Sequence, residues 1–200
     1  MKITFLGHAT LEIQINEFNL LVDPFISGNP MASEINLDDL KPDFILISHA
    51  HQDHTLDVEK LAKDNNSLII SNFEIVSHFQ SKGLNGHPMN HGGKWNFDFG
   101  ELKYVNAIHT STFPDGSNGG QPGGFIITSN NKSIYIAGDT ALTYDMKLIP
   151  INYNLDLAIL PIGDNFTMGY KDAIIASDFI ECNKILGLSL IHISEPTRRT

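Results

Sequence analysis

One cysteine, Cys182, in 200 residues excludes an intramolecular disulfide framework and a cysteine-rich zinc module, and it suits a reducing compartment. Arginine is missing until Arg198 and Arg199, so 13 basic residues face 23 acidic ones and the formal net charge is −10. A chain of that sign would meet nucleic acid or an anionic membrane against its own field, and neither is expected as a partner. No apolar run approaches the roughly 20 residues of a membrane-spanning helix. The N-terminus opens directly on a strand-like segment, with no signal peptide to be read there, so a cytoplasmic location is expected. Charged residues are only 18% of the chain, yet 42% are apolar, enough for one domain with a full-sized core. Gly 16 and Pro 9 argue for many turns rather than a helical bundle.

What is present is short and alternating. Residues 2–6, 11–15 and 18–22 read as strands of a hairpin series around the polar turn Asn16-Glu17. Pro24, Gly28 and Pro30 mark 23–30 as a loop. Residues 44–48 form the continuous apolar run of a strand covered on both faces. A helix is expected at 56–63, a strand at 68–71, and a second helix at 74–82 ended by Gly83. Strands follow at 102–108, 124–128 and 133–137, with a Gly/Pro-rich loop at 110–124 and a tight turn at Asn130-Asn131. An apolar segment at 155–161 precedes helical periodicity over 171–184, continued by Ile185. Strands outnumber helices and alternate with them, with no repeat and no interdomain linker, which predicts a layered α/β (α+β) domain.

Nine histidines matter less for their number than for their placement. The run Ser48-His49-Ala50-His51-Gln52-Asp53-His54 puts three imidazoles and a carboxylate immediately after a buried strand. Imidazole nitrogen and carboxylate oxygen suit zinc, iron or manganese, and a loop of this kind can turn its donors towards two neighbouring ions. His109 and Asp139 repeat the placement, each following an expected strand where it empties into a loop. Gly138 lets the backbone approach closely beside Asp139.

H-A-H-Q-D-H resembles the H-x-H-x-D-H signature of the metallo-β-lactamase superfamily. Further stretches carry the resemblance: G-H-A-T at 7–10, L-V-D-P-F at 21–25, S-G-N-P at 27–30, H-P-M-N at 87–90, G-G-F at 123–125, A-G-D-T at 137–140 and L-P-I-G-D-N-F-T-M-G at 160–169. These are similar to a small group of bacterial metal-dependent hydrolases in that superfamily, on a lactonase-like branch, from Met1 to about Gly187. The resemblance implies a four-layer αββα sandwich with the site along one edge of two sheets. It implies one ion held by His49, His51 and His109, a second by Asp53 and His54, and Asp139 between them. It also implies two divalent ions, zinc foremost with manganese or iron admissible, and a bridging hydroxide as nucleophile. Asp53 is the candidate catalytic group, able to take a proton in turnover. Asp23 is expected to orient a ligand imidazole, and His8 to stand in the pocket wall. Asn90, His87 and His91 fit a pocket border or a surface turn equally, His78 a helix surface, and Cys182 a packing role. Residues 160–169 fit a pocket edge or core packing.

Residues 188–200 depart from that pattern. The group continues with a strand that carries a further histidine ligand in an H-Y-x-T-F-like stretch, absent here. The sequence L-S-L-I-H-I-S-E-P-T-R-R-T instead resembles an in-frame translation of a sequencing adapter, so the domain is expected to span 1–187 and His192 is not expected to bind metal. The arginine pair marks the same boundary, and without the tail the charge is −11, from 11 lysines against 22 acids. The expected consequences are a sandwich incomplete at its C-terminal edge, a weakened second ion and an aggregation-prone apolar edge. The sequence therefore predicts a hydrolase acting on a small ester, lactone or phosphodiester. A nuclease of the same superfamily and a metal-binding remnant without catalysis are the alternatives.

Overall fold

A computed structural model describes residues 1–189; the expectations for His192 and the rest of 190–200 lie outside the described residues. Two six-stranded sheets make up the centre. The first runs in chain order through β1 (Lys2–Gly7), β2 (Thr10–Ile15), β3 (Phe18–Val22), β4 (Phe44–Leu46), β5 (Leu68–Asn72) and β6 (Gly86–Met89). The second runs from β7 (Lys94–Phe97) through β8 (Gly100–Asn106), β9 (Gly123–Ser129), β10 (Lys132–Ile136) and β11 (Leu157–Pro161) to β12 (Ile185–Leu188). Each sheet has an antiparallel half, β1 to β3 and β7 to β10, continued by parallel strands.

The alternation of side chains along these strands builds the layers. Leu20, Val22, Phe44, Leu46 and Ile70 of the first sheet meet Phe125, Ile127, Ile134, Ile136 and Ile159 of the second in one buried cluster between the sheets. Their neighbours in sequence point outward: Leu21, Ile45 and Ile69 pack under α2 (Val58–Asn65) and α3 (Phe73–Ser81). On the other side Ile126, Tyr135, Ala158 and Leu160 pack under α4 (Tyr170–Phe179). Period-two patterning with both faces apolar thus yields helix, sheet, sheet, helix, and residues 44–47 are covered on both faces as expected. Asn130 and Asn131 both adopt positive φ, 52° and 60°, the turn a two-residue hairpin between β9 and β10 requires.

Several boundaries differ from expectation. The helix expected at 56–63 begins two residues later, because α1 (Gln52–Thr55) precedes it. The helix expected to run to residue 184 stops at Phe179: Glu181 turns left-handed at φ 52° and frees Ile185 to pair beside β11 as β12. Strands β6 and β7 escaped the sequence reading, since Gly86, His87 and Pro88 lack strand patterning. Each is the edge of its sheet, where proline is tolerated.

Candidate metal centre

The strand directions place the candidate residues. His8 follows β1, Asp23 follows β3, His49 is three residues past β4, His109 three past β8, and Asp139 three past β10. The pairings give all of these strands ends that face the same edge of the sandwich. Asp53 and His54 sit on α1, which starts from His51 as its N-cap.

Three overlapping groups of donors result, each with its ligand atoms within 4.8 Å of one another: His49, His51 and His109; His49, His54 and Asp139; and His8, Asp53 and His54. His49 Nε2 lies 2.9 Å from His51 Nδ1. His54 Nε2 is fully buried and makes no hydrogen bond among the described residues, with Asp139 Oδ2 at 3.5 Å and Asp53 Oδ2 at 3.9 Å. Four-coordinate zinc with bonds of about 2.0–2.1 Å sets neighbouring donors roughly 3.4 Å apart. These side chains are therefore spaced as donors around a cation, and the His/Asp set fits divalent zinc, manganese or iron.

Asp23 fixes which nitrogens face the centre. A carboxylate only accepts, so His54 Nδ1 donates to Asp23 Oδ2 at 3.0 Å and Nε2 is left with its lone pair inward. Asp23 also accepts from the Ser48 backbone N–H at 2.7 Å and from Ser48 Oγ at 2.6 Å. That hydroxyl, its proton committed, accepts from His49 Nδ1 at 3.0 Å, which turns His49 Nε2 inward as well. One buried carboxylate thus sets two imidazoles. Asp23 and His8 hold left-handed backbone at φ 46° and 52°, a constraint that such sites collect.

Burial pushes His49 well below the ordinary histidine range and lowers His109 too. Burial opposes charge on His54 as well, but the carboxylates of Asp139 and Asp23 overcome it and raise it well above that range. Burial likewise opposes the charge of Asp139, and His54 beside it holds the carboxyl well below the usual carboxylate range. A field that favours a proton on His54 favours a bound cation in the same place.

Several hydroxyls tie these donors to the scaffold. Ser111 Oγ accepts from Ala50 N at 3.1 Å and donates to Gly119 O at 2.9 Å, clamping the histidine loop to the 107–122 loop. Thr140 Oγ1 accepts from Ile108 N at 2.9 Å and so joins the ends of β8 and β10. Ser189 Oγ donates to Asp139 Oδ2 at 3.1 Å. Only Ser48 carried a sequence signal, by its place directly before the histidine run. At Gly138, with φ 65°, a Cβ would come within 2.8 Å of Ser48 Cβ, so glycine allows the close approach expected there. His91 Nε2 donates to the Pro122 carbonyl at 2.8 Å and the ring stacks on Tyr104, bordering the same loop. His87 packs instead on Trp95 and Phe97, and His78 stacks on Phe113. Cys182 and Met168 are buried in the cluster under α4.

The comparisons with known proteins agree with this architecture. The chain belongs to the family described as the beta-lactamase superfamily domain, whose model matches residues 2–186. Within it, the chain is 66% identical over 187 residues to a "UPF0173 metal-dependent hydrolase" of Flavobacterium johnsoniae, covering 94% of this chain and 83% of the relative. A protein of the same name from Christiangramia forsetii is 64% identical over 188 residues, with coverage of 94% and 83%. Among solved structures, the metallo hydrolase Igni18 of Ignicoccus hospitalis aligns with a TM-score of 0.84 at 29% identity, over 94% of this chain and 81% of that one. An isothiocyanate hydrolase from Delia radicum gut bacteria shares the fold at a TM-score of 0.78 and 22% identity, over 96% and 85%. The protein is a metal-dependent hydrolase of this superfamily.

Proposed function

We propose that the protein hydrolyses a small ester, lactone or phosphodiester in the cytoplasm, using two divalent ions, zinc foremost with manganese or iron as substitutes. The observation that carries this reading is the set of three overlapping His/Asp donor groups at one end of the sandwich. Bound there, the ions supply a hydroxide at neutral pH and polarise the oxygen of the scissile group. His49, His51 and His109 hold one ion, Asp53 and His54 the other, and Asp139 serves both.

The rest falls to the chain itself. His49, His54 and Asp139 are buried, whereas His51, Asp53 and His109 are only partly covered, so substrate reaches the centre across these three. Asp53, with 24% of its side chain exposed, is the carboxylate on the open side, and it takes the proton released in turnover. The net charge of −10 disfavours a polyanionic substrate such as RNA or DNA.

The test is metal analysis of the purified protein together with a screen of lactones, esters and bis(p-nitrophenyl) phosphate. Turnover should vanish on chelation and return with zinc or manganese. Turnover indifferent to chelator would overturn the proposal. Ions bound without turnover of any substrate would favour the metal-binding remnant, and cleavage of RNA or DNA at low salt the nuclease.

A further inference from the structure

We propose that a cavity on the outer face of the second sheet binds a small hydroxycarboxylic acid, at a site separate from the metal centre. The cavity measures about 390 Å³, within the roughly 300–1,000 Å³ of small-molecule sites. Strands β8 to β10 floor it with Val105, Ile126 and Tyr135. The short 3₁₀ helix Tyr144–Leu148 and the residue after it close it with Met146, Leu148 and Ile149. None of the metal donors lines it.

Two polar groups in this apolar chamber point to a ligand. Tyr135 is 0% exposed, and its phenol makes no hydrogen bond among the described residues. A buried hydroxyl without a partner is costly, and a ligand acceptor seated beside it removes that cost. Burial pushes the phenol far above its ordinary value, so it stays an O–H donor at neutral pH. The second group is Lys103. Its Nζ donates to the Gly92 carbonyl at 3.2 Å, and no carboxylate among the described residues stands within ion-pair reach of it. The acid two residues away, Glu101, is engaged by Lys94 at 2.7 Å and by the Tyr153 hydroxyl at 3.2 Å.

The sheet sets the spacing of these donors. Lys103, Ile126 and Tyr135 stand in register across β8, β9 and β10, so the two donors are rooted roughly 10 Å apart with apolar floor between them. Asp145 at the rim accepts from the Asn106 amide at 2.7 Å, three residues further along β8. Its charge disfavours an anion at that end and leaves the Lys103 end for the carboxylate. A ligand that satisfies the chamber therefore carries a carboxylate against Lys103, an apolar chain over Ile126, and a hydroxyl that accepts from Tyr135.

The experiment follows side-chain methyl resonances of the full chain during titration with ω-hydroxyoctanoate, octanoate and octanediol, with and without chelator. The methyls of Ile126, Met146 and Ile149 should shift saturably with ω-hydroxyoctanoate, and equally in chelator. Octanediol, which lacks the anion, should bind at least about 10-fold more weakly, and Lys103→Met should weaken ω-hydroxyoctanoate by a similar factor. Tyr135→Phe should weaken ω-hydroxyoctanoate roughly 2–10-fold and leave octanoate unchanged, a difference that a merely structural role of the phenol would not produce.

Octanediol bound as tightly as the hydroxy acid, or Lys103→Met without effect, would overturn the inference. So would shifts that vanish in chelator, which would mark a ligand of the metal centre, or the absence of any saturable shift. The three probes compared on the unmodified protein keep the test decisive if a variant fails to fold.

Discussion

The two halves of the donor cluster are built differently. The half formed by His49, His51 and His109 is all imidazole, partly open to solvent, and burial pushes His49 and His109 towards the neutral state. The half around His54 is deeper and carries the carboxylates of Asp53, Asp139 and Asp23, of which Asp139 and Asp23 push His54 the other way. In the first half His49 and His109 are held towards the neutral state in which imidazole nitrogen binds a metal. The second offers negative charge, which attracts a cation but must shed the proton that His54 otherwise holds. The lesson is that one edge of a sandwich can present two environments a few ångströms apart, by choosing which side chains a single carboxylate touches.

The comparison can be broken most severely at Asp139, which adjoins an imidazole of each half. Asp139→Ala removes a donor adjoining both His49 and His54, and zinc affinity should fall by at least about 100-fold on the carboxylate side, with hydrolysis lost; retention of two ions by mass spectrometry would refute the shared role. Asp23→Asn should have the next largest effect, because an amide in place of the carboxylate no longer secures either imidazole. Ion affinity should drop roughly 10–100-fold in both halves, and a titration showing loss in one half alone would break the Asp23 argument.

The halves should also respond to pH in opposite senses once stripped of metal. His54 is raised in the fold, so its contribution to stability is whole below the unfolded histidine value of about 6.5 and is lost as pH rises through the elevated folded value. Thermal melting of the chelated protein should therefore weaken on going from about pH 6.5 upward into the alkaline range. His49 is depressed, and its contribution is present above about 6.5 and lost as pH falls. A chelated protein whose melting temperature rises steadily with pH from neutral to alkaline would contradict the His54 assignment. The smallest effect belongs to Thr110, which hydrogen-bonds His51 Nε2 at 3.2 Å from an exposed position. Thr110→Val should weaken only the imidazole half, by less than about 10-fold in the same titration.

Much of the centre was legible in the sequence because its chemistry is local. His49, His51, Asp53 and His54 fall within one short loop, and His109 and Asp139 each follow a recognisable strand. The layers were legible because each inner strand repeats its apolar pattern on both faces. What escaped was set by partners distant in the chain. Strands β6 and β7 hold as edges by pairing and not by their own propensity, and Ile185 reads as well on a helix as beside Ala158. Ser111 and Thr140 look like ordinary loop hydroxyls until folding brings them against Ala50 and Ile108. His8 was legible as a site residue, but its 3.0 Å approach to Asp53 depends on a bulge that no local pattern announces.

Asp23 grips His54 directly and His49 through Ser48, and on the proposed two-ion reading this would make the two ion positions thermodynamic neighbours. An ion that fixes either imidazole also fixes the carboxylate on which the other depends. Whatever factor the first ion contributes to the affinity of the second, the second must return to the first, since linkage is reciprocal. On that reading loading of the centre would be cooperative through Asp23, and a change there would alter the order of filling as well as its strength.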